Sequence, residues 1–94
     1  MTTPQILHFL RSHKSEFNQK FGVTKLGLFG SYARGEATEK SDIDIIVDMP
    51  SDFNLYYDFK EFLEDSFNLN IDLGLIKTIR KQLNINIQKD VIYV

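Results

Sequence analysis

The 94-residue chain has no cysteine, so neither a disulfide framework nor a thiolate metal site is open to it, and its redox chemistry gives no sign of secretion. It has no long apolar run at its start either. The opening "MTTPQILHFLRSHKSEF" is interrupted by Arg11, His13 and Lys14, which fits neither a signal peptide nor a membrane span and leaves the cytoplasm as the expected location. Low-complexity tracts and internal repeats are absent, and 43% hydrophobic with 26% charged residues is ordinary for a globular chain. A chain this short buries only about two-thirds of its unfolded surface, so a single domain over 1–94 is expected, with little apolar material left for a second. A broad basic face is missing as well. Residues 1–35 carry five Lys/Arg against Glu16, a balance of +4; residues 36–72 carry two Lys against eleven Asp/Glu, a balance of -9; residues 73–94 return to +3, and the sum is -2. This distribution disfavours nucleic acid as a partner and suits a charged protein.

Several common sites fail on spacing. There is no Gly-Lys-Ser/Thr for a P-loop, and the glycines at 27, 30 and 35 do not fit dinucleotide spacing. A calcium loop begun at Asp42 would need glycine where Val47 stands. His8 and His13 are five residues apart, about 140° around a helix, and share no ligand face.

What is present is a regular alternation of elements. Thr3 and Pro4 predict a helix start, with Ile6, Leu10, Phe17 and Phe21 recurring near the helical period up to Gly22. "VTKLGLFG" reads as a mostly buried strand, "SYARG" as a turn or two of helix, and Gly35 to Ser41 as a polar return loop. In "DIDIIVD" the alternation puts Ile43, Ile45 and Val47 on one face and Asp42, Asp44, Ile46 and Asp48 on the other, with Pro50 ending the strand. The next segment is an amphipathic helix capped by Ser51 or Asp52. Leu55, Phe59, Phe62 or Leu63, and Phe67 line its apolar face, and Asp58, Lys60, Glu61, Glu64 and Asp65 lie opposite. Its phenylalanines, Phe53 included, are expected in the core, while Tyr56 or Tyr57 is available to an interface. "NIDLGLI" gives a third strand, residues 77–89 a further helix, and "VIYV" an edge strand. An α/β (α+β) fold follows, with a small three- to four-stranded mixed sheet flanked by helices.

Asp42 and Asp44, two apart on a strand, project from one face with Cα atoms roughly 6.5–7 Å apart. Two such charges repel unless they are solvated or a cation lies between them, and divalent Mg or Mn suits their oxygens. Strands joined by a helix run parallel by a crossover, so Asp72, second in its own strand, is expected beside the pair as a third carboxylate of a two-metal site. At the end of the first strand, Gly30 permits close backbone approach. Ser31 offers a hydroxyl and an N–H at a helix start, and Arg34 can reach the same phosphate one turn on.

"GSYARGEATEKSDIDIIVD" with the later "NIDL" resembles the signature of the nucleotidyltransferase superfamily that includes DNA polymerase beta. More narrowly it is similar to the minimal nucleotidyltransferases (MNT), which in prokaryotes pair with HEPN-domain proteins as antitoxin and toxin. The resemblance implies the nucleotidyltransferase fold, with Gly30, Ser31 and Arg34 on the triphosphate of ATP. It implies Asp42, Asp44 and Asp72 as catalytic ligands of two Mg2+ ions, with Mn2+ an alternative. It further implies transfer of AMP to a tyrosine hydroxyl of a HEPN ribonuclease toxin, the two proteins forming a hetero-oligomer. Two alternatives stand beside it: an antitoxin that neutralises by complex formation without catalysis, and a transferase acting on a small molecule or a nucleic acid end.

Overall fold

The computed structural model describes residues 1–78 and 90–94. Its elements run α1 (Thr3–Ser12), α2 (Lys14–Phe21), β1 (Lys25–Phe29), α3 (Gly30–Arg34), β2 (Ile43–Asp48), α4 (Phe53–Phe67), β3 (Ile71–Leu75) and β4 (Ile92–Tyr93). The strands form a mixed four-stranded sheet in the order β3-β2-β1-β4. β1 is antiparallel to both β2 and β4, and β2 is parallel to β3, as a helical connection between them requires. "VIYV" is thus an edge strand, while the expected helix over 77–89 falls mostly outside the described residues.

The predicted first helix is two helices. His13, at φ -104° and ψ 4°, ends α1 and precedes α2. Its ring Nδ1 lies 2.8 Å from the Phe9 carbonyl and the ring stacks on Phe9 at 4.1 Å, so a side chain shares the carbonyl that the helix backbone uses there. The cap is Thr2 rather than Thr3. Thr2 Oγ1 accepts from the Gln5 N–H at 3.3 Å and the Thr2 N–H donates to Gln5 Oε1 at 2.8 Å, a reciprocal pair that the Thr-x-x-Gln spacing encodes. Thr3 instead donates through its hydroxyl to the Tyr32 carbonyl and ties α1 to α3.

α4 is capped by Asp52, whose Oδ1 accepts from the N–H groups of Asn54 and Leu55 at 2.9 and 3.2 Å. One face of the sheet is packed: Ile43, Ile45, Val47, Leu26, Leu28, Ile71 and Leu73 meet Ile6, Leu10, Phe17, Phe59, Leu63 and Phe67 from the helices. Phe17 is the hub, its ring 4.9 Å from Phe59 at 70°. Phe53 departs from the expectation. It is 82% exposed, at the first position of α4. The opposite face holds a small apolar cluster, in which Ile46 and Ile76 pack with Phe29 and Val91, and at its other end the acidic residues.

Candidate active site

The pairing register assembles the acidic end. Asp44 lies opposite Asp72 in the parallel β2-β3 pair and opposite Phe29 in the antiparallel β1-β2 pair. Strand period two then points both carboxylates to the face away from the helical core. Asp42 precedes β2 by one residue, and the Ile43 N–H donates to the Asn70 carbonyl at 3.1 Å, which aligns the two strand starts. Asp44 is half-buried, whereas Asp42 and Asp72 are exposed. Burial first, then the charge of Asp72 and a hydrogen bond with it, then the charge of Asp42, push the Asp44 carboxyl from 3.8 up to about 6, with Arg34 acting the other way.

Gly30 also has a task that the sequence does not suggest. Its φ is +73°, and a Cβ built there would fall 2.1 Å from Asp44 Oδ2. The missing side chain is the space in which the Asp44 carboxylate sits, and the left-handed backbone lets α3 begin immediately after β1. Ser31, half-buried, follows in the first turn of α3. Arg34, at the exposed end of that helix, has Nε 3.1 Å from Glu36 Oε2 and Nη1 3.7 Å from Asp90 Oδ2. The hydrogen bond to Glu36 raises its already high pKa further.

Thus Gly30, Asp44 and Asp72 are brought together, Asp42 and Arg34 act on Asp44 through their charge, and Ser31 is carried alongside by α3. Among the described residues no three His, Cys, Asp or Glu side chains converge into a ready-made metal cluster. The donor set nevertheless suits a hard cation: the Asp44 carboxyl meets that of Asp72 in a hydrogen bond and feels the charge of Asp42, and among the described residues no salt bridge neutralises Asp42, Asp44 or Asp72.

Three residues outside the set expected from the sequence, Glu36, Asp90 and Tyr56, belong to this neighbourhood. Glu36 and Asp90 hold Arg34. The Tyr56 hydroxyl donates to the Leu73 carbonyl on β3, and burial followed by the charge of Asp72 raises its pKa. Helix spacing could have turned Tyr56 toward β3, but nothing in the sequence marks Asp90.

Residues 10–94 match the family described as the nucleotidyltransferase domain. The chain belongs to the nucleotidyltransferase family. This nucleotidyltransferase is similar over its whole length to protein adenylyltransferase MntA of Thermococcus cleftensis, with 36% identity over 96 residues spanning 100% of this chain and 97% of the relative. A candidate protein adenylyltransferase of Methanocaldococcus jannaschii is 41% identical over 98 residues, 99% of this chain and 98% of its own. A solved candidate minimal nucleotidyltransferase superposes with a TM-score of 0.75 over 98% of this chain and 95% of that one, and at 21% identity shows the fold. A toxin-antitoxin structure with AMP-PNP matches at a TM-score of 0.56 and 25% identity, over 82% of this chain and 59% of that one. Among the described residues no helix is long and apolar enough to cross a membrane.

Proposed function

We propose that this nucleotidyltransferase is an antitoxin that transfers AMP from ATP to a tyrosine hydroxyl of a HEPN ribonuclease toxin. The observation that carries the reading is the Asp44-Asp72 register pair seated against Gly30, in a chain aligned end to end with proteins named for protein adenylylation. In this reading Asp42, Asp44 and Asp72 hold Mg2+, which when bound neutralises charge on the triphosphate and the departing pyrophosphate. The hydroxyl oxygen of the acceptor forms a bond to the α-phosphorus. The bond from that phosphorus to the bridging oxygen breaks, pyrophosphate leaves with the electron pair, and Asp72, exposed at the strand edge, takes the hydroxyl proton. Ser31 and the first turn of α3 orient the phosphates, and Arg34 exchanges Glu36 and Asp90 for phosphate oxygens when nucleotide arrives.

Incubation with ATP, Mg2+ and the HEPN protein, followed by intact-mass measurement, tests this. The expected result is addition of AMP to the toxin that is lost in Asp42→Asn with Asp44→Asn. Neutralisation without any mass change, surviving those substitutions, would instead identify a stoichiometric binding antitoxin. Neither binding nor transfer would remove both antitoxin readings.

A further inference from the structure

Two large side chains in the first two turns of α4, Phe53 and Tyr57, stay out of the core. Phe53 is 82% exposed and Tyr57 58% exposed, one helical turn apart, with rings stacked at 6.4 Å and 18°. Tyr56 meets Tyr57 edge-on at 5.3 Å. Beside them opens an apolar cavity of about 200 Å³ lined by Pro50, Ser51, Asp52, Phe53, Tyr56 and Leu75. Clustered aromatics next to a pocket are the usual anchors of a protein interface, and scattered exposed apolar residues are not arranged this way.

The surrounding charge selects the occupant. α4 carries Asp58, Glu61, Glu64 and Asp65 against Lys60, and its cap Asp52 forms the pocket rim. A second copy in a two-fold contact would set this acidic helix against itself, and nucleic acid and anionic lipid would be repelled. A basic protein face is complementary.

Position adds the third argument. Tyr56 lines the cavity and reaches across to the Leu73 carbonyl, one residue from Asp72, so β3 links the aromatic surface to the carboxylates. A partner seated on α4 lies along that edge.

We infer that Phe53, Tyr57 and the adjoining cavity are the docking surface for the acceptor polypeptide, a basic protein that inserts one apolar side chain into the cavity and faces Asp52, Asp58 and Glu61 with lysine or arginine. The inference rests on the reading as a protein adenylyltransferase, since a small acceptor needs no such surface.

Two double variants of the full chain test it against purified HEPN toxin: Phe53→Ser with Tyr57→Ser, and Asp58→Lys with Glu61→Lys. The aromatic pair is expected to raise both Kd and the KM for toxin about 10- to 100-fold, with kcat at saturating toxin and AMP-PNP affinity unchanged, and Phe53→Leu is expected to restore most of the binding. The charge reversal is expected to weaken binding several-fold at low salt and less at high salt. Wild-type Kd and KM in both variants would overturn the docking surface. So would wild-type chains that self-associate through Phe53 and Tyr57 while binding toxin equally well without them. A wild-type chain that binds toxin but transfers no AMP sinks the transferase reading alone, and Kd then decides the docking claim; one that does not bind at all sinks the docking surface.

Discussion

The two halves of the site are held by different means. Asp44 and Asp72 sit on neighbouring parallel strands, and their meeting is fixed by backbone register, which cannot slip without turning Ile43, Ile45 and Val47 out of the core. Arg34 stands at the exposed end of a five-residue helix and takes whatever carboxylate is near, Glu36 and Asp90 here. Carboxylates in a strand ladder are pre-organised at the cost of repulsion, whereas a surface guanidinium in exposed ion pairs is held by little and can be redirected. Gly30 connects the halves, since it starts the helix of the second and makes room for the carboxylate of the first.

The sharpest break is therefore Gly30→Ala. Gly35 has nearly the same φ, +72° against +73°, but a Cβ at Gly35 meets nothing within 4 Å. Gly35→Ala should cost only the left-handed penalty of about 1 kcal/mol by thermal melt, with AMP transfer intact. Gly30→Ala should add displacement of Asp44 to that penalty and abolish transfer. Next comes Asp44→Asn or Asp72→Asn, expected to lower transfer beyond the roughly 10- to 100-fold that loss of even an outer-shell metal partner costs. Metal-free, either substitution should raise the melting temperature, because it removes a like-charge contact.

pH reads that same repulsion. The Asp44 carboxyl lies at about 6 in the folded chain against 3.8 ordinarily, so the folded state holds the extra proton between those values. The associated stability is fully present below the lower value and is lost as pH rises through about 6. Metal-free melts of wild type and Asp44→Asn should converge toward pH 4 and separate above pH 6, with the variant more stable there. Freeing Arg34 is a smaller change. Glu36→Gln with Asp90→Asn should leave stability almost untouched, consistent with exposed pairs worth about 0–1 kcal/mol, and tighten AMP-PNP binding a few-fold. Smallest in reach is Tyr56→Phe, which should cost about 1 kcal/mol by denaturant melt for the hydroxyl lost from the Leu73 carbonyl.

Period-two alternation made β2 and β3 legible in the sequence, and with them the Asp44-Asp72 meeting, because strand faces and a helical crossover follow from backbone geometry alone. α4 was legible for the same reason at period 3.6. Phe53 is the exception, because residue type says which side chains favour burial but not whether anything in the fold covers them. The break at His13 depends on one ring competing for one carbonyl, which no pattern encodes. Arg34 was recognised as a residue of the site, but its partner Asp90 arrives from β4's approach, more than fifty residues on by the numbering, and long-range surface pairs leave no local signal.

The central claim is that the register-paired aspartates form a cation site that serves a nucleotide. Mn2+ titration followed by electron paramagnetic resonance, with AMP-PNP present, tests it most directly on wild type, Asp44→Asn and Asp72→Asn. Saturable Mn2+ binding in the wild type that depends on the nucleotide and is lost in both variants is the predicted result. Equal Mn2+ binding in all three chains would contradict it.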